Sequence, residues 1–165
     1  MGLTVNSAEF LKALQKMADA KKQDFQTAAL EAAQDLHFKI VGDTPIDSGQ
    51  AASNWILSVN SSDDTVRDDT SYRNLKEASA TVKDAIASGA EVKSIHITNS
   101  LPYIRHLEYG LYKQREDAPK QGSNVTNNGY RTLNGYSTQA PNGMLRKNVE
   151  SFTKMFNARA ARLKK

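Results

Sequence analysis

Apolar residues recur at steps of three and four through most of the first 42 residues of the chain. Phe10, Leu14 and Met17 begin this pattern, and after a pair of lysines it continues to Ile40. Such spacing places the apolar side chains on one face of an α-helix. Residues 1–42 are therefore predicted to form a long amphipathic helix, either continuous or broken at the lysine pair, that ends at a glycine.

Two short segments alternate between apolar and polar residues, with the period of two that is typical of a half-buried strand. The first covers residues 55–60 and places Trp55 and Leu57 on one face. The second covers residues 91–98 and turns its two isoleucines to one face. The sequence thus predicts two strands that belong to a small sheet.

A second amphipathic helix is predicted between the two strands. Apolar residues recur at helical steps from Leu75 to Ile86, Ser71 stands where a helix cap is expected, and Gly89 suits the end of the helix. Residues 60–71 hold four aspartates among serines and threonines, which predicts an exposed loop. These aspartates lack the glycine and the terminal glutamate of a calcium-binding loop, so no metal site is assigned to them.

The segment of residues 111–140 is nearly free of aliphatic side chains and is rich in Asn, Gly, Gln, Ser and Thr. Such a composition is too polar to build core. Two Asn-Gly-Tyr repeats within it, ending at Tyr130 and Tyr136, suit tight turns with positive φ angles. We expect a hairpin-like polar arm that becomes ordered against a neighbouring molecule, or else a surface loop without a role.

The last segment of the chain, residues 141–165, is predicted to be a basic amphipathic helix. Leu145, Val149 and Phe152 share one of its faces. A proline stands at its first position, where helices commonly begin, and basic residues are frequent toward its end.

These elements predict an α+β fold in which a small, mostly antiparallel sheet packs against long N-terminal and C-terminal helices. A chain of 165 residues is long enough to bury a core of its own, so we expect residues 1–165 to form a single domain. Residues 43–110 supply a turn, the strands and short helices. The long polar loop or hairpin arm of residues 111–140 connects them to the last helix.

The charge of the chain is unevenly distributed along the sequence. Residues 1–100 carry 10 basic and 14 acidic side chains, a net charge of −4, whereas residues 101–165 carry 12 and 4, a net charge of +8. A basic half suits nucleic acid, an acidic partner, or the acidic half of another copy of the chain. Non-specific binding of nucleic acid by the basic last helix is therefore one open function.

Residues that could carry catalysis are few. The chain has no cysteine, its three histidines fall on different predicted elements, and it contains no glycine-rich phosphate loop or metalloprotease motif. Asp43 and Asp47 flank a turn that their side-chain hydrogen bonds can stabilise. We therefore expect a protein that is not an enzyme and that binds no cofactor or metal. No apolar run approaches the roughly 20 residues that cross a bilayer, so no membrane partner is expected.

Three segments, taken in order, resemble the neck and tail-completion proteins of tailed bacteriophages, which include minor tail and head-tail joining components. Residues 44–55 read TPIDSGQAASNW, which is similar to the family's turn before an Asn-Trp pair. Residues 97–110 read ITNSLPYIRHLEYG, which resembles its strand followed by a Leu-Glu-Tyr-Gly signature. Residues 139–146 read QAPNGMLR, which resembles the start of its last helix.

The resemblance implies a structural virion protein, assembled in the host cytoplasm, that forms a ring of six copies at the head-tail interface. Its partners would be other copies of itself and the tail tube or the head connector, also called the stopper, with the tape measure or DNA in the lumen. A tail terminator that caps the tail tube is an alternative within the family.

The resemblance and the arm together suggest which residues lie at a subunit or partner interface. They belong to the three segments, to the arm and to the basic helix. Trp55 and Leu107, in contrast, are expected in the core. The expected interface residues are Asp47, Gly49, Tyr103, Arg105, Glu108, Tyr109, Gly110, Tyr130, Tyr136, Arg146, Arg159 and Arg162.

Overall fold

The predicted α+β class is confirmed by a computed structural model, which describes residues 7–113 and 132–163. Within these ranges, helices and antiparallel strand pairs follow the order expected from the sequence. The helices are α1 (Ser7–Asp43), α2 (Gln50–Ser53), α3 (Arg73–Ser88), α4 (Ile104–Tyr109), α5 (Leu145–Val149) and α6 (Phe152–Arg162). The strands are β1 (Ile56–Val59), β2 (Ile95–Thr98), β3 (Thr132–Leu133) and β4 (Tyr136–Ser137).

Helix α1 is continuous, so of the two predicted forms the unbroken one is correct. Residues 11–22 of α1 are exposed, and the first buried side chain of the helix is Gln26. The end of the helix is fixed by Thr44, whose hydroxyl donates a hydrogen bond of 2.6 Å to the Ile40 carbonyl. The same hydroxyl oxygen accepts a hydrogen bond of 2.8 Å from the Trp55 indole, which ties the end of α1 to the start of the sheet.

The two predicted strands pair with each other. β1 and β2 are antiparallel, with Ile56 opposite Thr98 and Val59 opposite Ile95. The predicted inward direction of Ile95 and Ile97 is confirmed, because both pack on a buried cluster formed by α1, β1 and α3. β3 and β4 form a separate antiparallel pair, so the described chain holds two small sheets where one was expected.

A second buried cluster joins α1 to α2, α4 and the start of the last helical region. Trp55 and Leu107 are only 4% and 7% exposed within it, which confirms that both are core residues. Ile97 and Phe152 pack against both clusters and therefore link them.

The acidic loop of residues 60–71 is held by its own side chains. Asp63 and Asp69 accept hydrogen bonds from the backbone and hydroxyls of the residues two positions later. Arg67 forms ion pairs with Asp63 and with Glu77 of α3. The expected cap at residue 71 is wrong: α3 begins after Tyr72, which takes a left-handed conformation, because the residue-71 hydroxyl is used by the loop.

The Asn-Gly turn predicted near the end of the polar arm is confirmed at Asn134 and Gly135, which have φ angles of 50° and 83°. This hairpin does not extend away from the chain. Its turn lies against the end of α4, where Tyr112 donates a backbone hydrogen bond of 3.0 Å to the Gly135 carbonyl. The other repeat, ending at Tyr130, lies outside the described residues.

The last helical region differs from the single predicted helix in two ways. It begins at Leu145 instead of at the proline, and it is interrupted between α5 and α6. The interruption occurs at Ser151, whose backbone N–H and hydroxyl both donate to the Asn148 carbonyl and so tighten the turn. A serine that bonds back to an earlier carbonyl competes with the regular helical pattern.

Candidate functional site

The three segments that carry the family resemblance meet in space, and we call this region the motif junction (residues 44–55, 97–110 and 139–146). The Ile46 amide donates 2.7 Å to the Gln139 side-chain oxygen, and the Gln139 amide group donates 3.0 Å to the Ile46 carbonyl. Asn99 donates 2.9 Å to the Ala51 carbonyl and so joins the first segment to the second. The junction is therefore one hydrogen-bonded unit built from distant parts of the chain.

The centre of the junction is the carboxylate of Glu108. It accepts backbone hydrogen bonds of 2.8, 2.8 and 2.9 Å from Met144, Leu145 and Arg146. These N–H groups belong to the first turn of the last helical region. The N–H groups of a first helical turn have no acceptors within the helix itself. Glu108 is 5% exposed, so the carboxylate acts as a buried clasp between the second and third segments.

The surroundings of Glu108 favour its ionised form. Burial raises the pKa of a carboxyl group, but the three backbone donors and the Arg146 guanidinium outweigh that effect, so the pKa of Glu108 lies below its ordinary value. The clasp is thus a charged group whose lone pairs are satisfied by the segment that it holds.

Arg146 completes the clasp from the outside. Its Nε donates 3.1 Å to the Glu108 carboxylate, and its Nη2 donates 2.8 Å to the Glu108 carbonyl. The guanidinium also lies over the Tyr109 ring, 4.9 Å from the centroid, and donates 3.3 Å to the Tyr136 hydroxyl. One side chain therefore joins α4, the hairpin and the last helical region.

Gly143 explains why the third segment needs a glycine before its helix. Its φ angle is +75°, and a Cβ atom at this position would lie 2.6 Å from the Glu108 carbonyl oxygen and 2.9 Å from its carboxylate. Since both contacts are closer than real Cβ atoms approach, any side chain would push the third segment off the clasp.

Close packing also fixes the hairpin on α4. A Cβ atom on Gly135 would overlap the Gly110 carbonyl, and one on Gly110 would overlap the Tyr136 ring. Gly110 is the left-handed cap of α4, with a φ angle of 65°, so the chain turns sharply away from the helix at this residue. Gly110 of the second segment therefore allows the hairpin to pack closely on α4 of the same chain.

A cleft of about 610 Å³ opens beside the junction, between the turn of residues 45–49 and the hairpin. It brings together three residues that were expected at an interface, Asp47, Gly49 and Tyr103. Burial raises the pKa of the Tyr103 hydroxyl above its ordinary value, so this phenol remains protonated at neutral pH. Apart from Asp47, the cleft is lined by uncharged residues: aliphatic and hydroxyl side chains, two tyrosines and one glutamine.

The other expected interface residues divide into exposed and engaged groups. Arg105, Tyr109 and Arg162 are exposed on α4 and α6. Arg159 is engaged, because its guanidinium bonds to Asp35 at 2.6 and 2.8 Å and lies 3.4 Å from a carboxylate oxygen of Glu31. The carboxylate of Glu108 is turned into its own chain, so it does not face a partner.

The sequence did not point to a polar cluster buried behind Trp55. The Trp55 carbonyl lies 2.9 Å from the His37 Nε2 and accepts a bond of 2.9 Å from Asn74, and both side chains are fully or almost fully buried. Burial lowers the pKa of His37 below its ordinary value. The position of Asn74, one helical turn before Ala78 on the apolar face of α3, is the signal that could have revealed this cluster.

No group of three or more His, Cys, Asp or Glu side chains in the described chain is arranged to hold a metal ion. Likewise, no helix among residues 7–113 and 132–163 is both long and apolar enough to span a membrane.

Comparison of the chain with family models, with curated proteins and with solved structures finds no match.

Proposed function

We propose that the chain is a structural virion protein of a tailed bacteriophage, a ring-forming tail-completion or neck subunit at the head-tail interface. The proposal depends on the resemblance of three segments in the sequence. What supports it is the motif junction, in which those segments form one hydrogen-bonded unit.

The motif junction supports the proposal because the three segments bond to one another although they are far apart in the sequence. The first and third segments are joined by the reciprocal bonds of Ile46 and Gln139, 93 positions apart in the sequence. The second and third are joined by the Glu108 clasp across 36 to 38 positions. The residues that define the resemblance are thus the residues that determine the local fold, including the glycine at position 143.

Exposed apolar surface on α1 also favours an assembling subunit. Leu11, Leu14 and Met17 are 63%, 46% and 66% exposed on consecutive turns of one helix. Contiguous apolar surface of this kind marks an interaction site more often than scattered exposed residues do. A subunit of a ring needs such surfaces in addition to its core.

The alternative function, binding of nucleic acid by the basic last helix, is weakened because one of the main basic residues of that helix is paired within the chain. Arg159 is neutralised by Asp35 and Glu31, which leaves Lys154 and Arg162 exposed on the described part of α6. Replacing Arg162 together with Lys154 should then reduce DNA affinity and flatten its dependence on salt if this alternative is right. A chain that binds no DNA at low salt excludes it.

Light scattering of the purified chain, alone and with tail-tube or connector proteins, tests the proposal. We expect a homo-oligomer of about six copies, either preformed or assembled on the partner. A chain that remains monomeric and binds neither partner contradicts the proposal. Virions assembled without the chain distinguish the two possible positions in the particle. Free heads and tails indicate head-tail joining, whereas overlong tails indicate a tail terminator.

A further inference from the structure

The two halves of the last helical region are anchored differently. α5 is held at its first turn by the Glu108 clasp, and the buried side chain of its Asn148 donates 2.6 Å to Asp43 of α1. In α6, by contrast, every residue is half-buried or exposed. The fold therefore fixes α5 and attaches α6 along one side only.

α6 is attached to α1 by side chains that remain accessible to water. Phe152 and Met155 pack against the buried clusters but are only half-buried themselves, and the Phe156 ring meets the Phe25 ring with 5.0 Å between their centroids. Phe25 is 63% exposed, so water surrounds most of this aromatic contact. A segment with few buried apolar contacts opens locally more readily than the rest of a protein does.

An ion pair adds to these contacts. Arg159 donates 2.8 and 2.6 Å to the two carboxylate oxygens of Asp35 and lies 3.4 Å from a carboxylate oxygen of Glu31. The three side chains are 27–35% exposed, so dissolved salt screens their attraction. The carboxylate of Glu108 is buried, and salt screens it much less. High ionic strength should therefore weaken the attachment of α6 more than that of α5.

The joint between α5 and α6 has the features of a hinge. The backbone N–H and the hydroxyl of Ser151 both donate to the Asn148 carbonyl, three residues earlier, so the regular helical pattern is interrupted there. Hinges are commonly a few residues at the end of an element that absorb a change of backbone angles. A rotation at Ser151 moves α6 and leaves the bonds between α5 and Glu108 in place.

We infer that α6 is a hinged cover of α1, which opens at Ser151 at high ionic strength while α5 stays bound to Glu108. The closed cover pairs with the carboxylates of α1 and packs on Phe25. Leu14 lies about three helical turns before Phe25, so both residues are on the same side of α1. Opening therefore lengthens the exposed apolar side of α1. The inference concerns the chain by itself and goes beyond the proposed function.

An opened α6 should lose its helical structure. The helix has 11 residues, and isolated helices shorter than about 12 to 15 residues are marginal in water. Its backbone amides would then exchange with solvent deuterium each time the cover opens. Exchange thus reports the opening directly.

Hydrogen–deuterium exchange of the full chain at fixed pH, measured by mass spectrometry, tests the inference. In about 0.1 M salt, the amides of α6 should exchange at least about tenfold faster than those of residues 144–149. Raising the salt to about 1 M shortens the Debye length from about 10 Å to about 3 Å. This change should speed exchange in α6 by roughly threefold to fivefold relative to residues 144–149.

Variants of the ion pair make the test specific. Arg159→Gln should exchange in about 0.1 M salt as fast as the wild type does in about 1 M salt, with little further effect of salt. Lys154→Gln is the matched control, because Lys154 is an exposed cation of the same helix with no ion-pair partner among the described residues, and it should behave as the wild type. Exchanging the charges in the double variant Arg159→Asp with Asp35→Arg should recover at least part of the slow exchange.

Three results overturn the inference: equal exchange rates in α6 and in residues 144–149, an equal effect of salt on both segments, or slow exchange of α6 retained in Arg159→Gln. The first two would show that α6 opens only when the whole chain unfolds. The third would show that the ion pair does not hold the cover. Circular dichroism of each variant should match the wild type, so that a change in exchange is assigned to α6.

Discussion

The Glu108 clasp predicts a large loss of stability from a small change, Glu108→Gln. The variant keeps the size of the side chain but removes the charge, and it replaces one acceptor oxygen with an NH₂ group that faces N–H donors. Three backbone donors and Arg146 converge on this buried carboxylate at 2.8 to 3.1 Å.

The expected magnitude follows from those contacts. A hydrogen bond to a charged group contributes about 1.5–3 kcal/mol, compared with about 0.5–1.5 kcal/mol for a neutral pair. Because the backbone donors are buried or partly buried and the amide satisfies only part of them, we expect the free energy of unfolding to fall by about 2–4 kcal/mol. Glu108→Ala leaves all of them unsatisfied and should cost about 3–5 kcal/mol.

Urea unfolding monitored by Trp55 fluorescence measures this loss, with Glu150→Gln as the control. Glu150 is exposed near the end of α5, so its replacement should change stability by less than about 0.5 kcal/mol. The pKa of Glu108 is lowered in the folded chain, so its contribution is present above the ordinary carboxyl pKa and is lost as pH falls through the folded value. The difference between wild type and Glu108→Gln should therefore shrink toward low pH.

The clasp would be refuted by a Glu108→Gln variant whose unfolding free energy lies within about 0.5 kcal/mol of wild type at pH 7. A difference between the two proteins that stays constant down to pH 3 would equally contradict the assignment of a buried, charged acceptor.

Three further outcomes are expected. Gly143→Ala should lower the free energy of unfolding, measured in urea, by about 2–4 kcal/mol. Gly89 is also left-handed but has open space around it, so Gly89→Ala should cost only about 1–2 kcal/mol. Equal losses in the two variants would contradict the close approach of Gly143 to Glu108. The pKa of His37 is lowered in the folded chain, so the free energy of unfolding should fall as pH drops below about 6.5, because the unfolded chain then binds a proton that the folded chain does not. The urea midpoint of the wild type should therefore decrease from pH 7 to 5. A His37→Gln variant whose midpoint changes with pH as steeply as that of the wild type would contradict this. Arg159→Gln should lower the free energy of unfolding by up to about 1 kcal/mol and leave DNA binding at low salt unchanged, because Arg159 is paired with Asp35. A lower DNA affinity of this variant would contradict the assignment of Arg159 to an ion pair within the chain.

Helices and strands whose apolar residues recur at a regular spacing could be predicted from the sequence alone. The steps of three and four along α1 and α3 and the alternation in β1 and β2 report burial on one face, and burial is what forms these elements. The Asn134-Gly135 turn could also be predicted, because few other residue pairs accept two successive positive φ angles.

The centre of the motif junction could not be predicted, because it depends on contacts between distant residues. Glu108 reads as a charged residue on a short helix, and only the fold brings three backbone donors of the last helical region to it. Likewise, the sequence shows a basic Arg159 but not the carboxylates of α1 that neutralise it. The start of α5 was misplaced for the same reason, since its first turn is capped by Glu108 and not by a local residue.

The central claim is that the chain is a ring subunit at the head-tail interface, and electron microscopy of particles assembled without it tests this claim most directly. We expect free heads and tails, or tails of abnormal length, and restoration of normal particles by the wild-type chain supplied in trans. Particles of normal form and infectivity assembled in its absence would contradict the account.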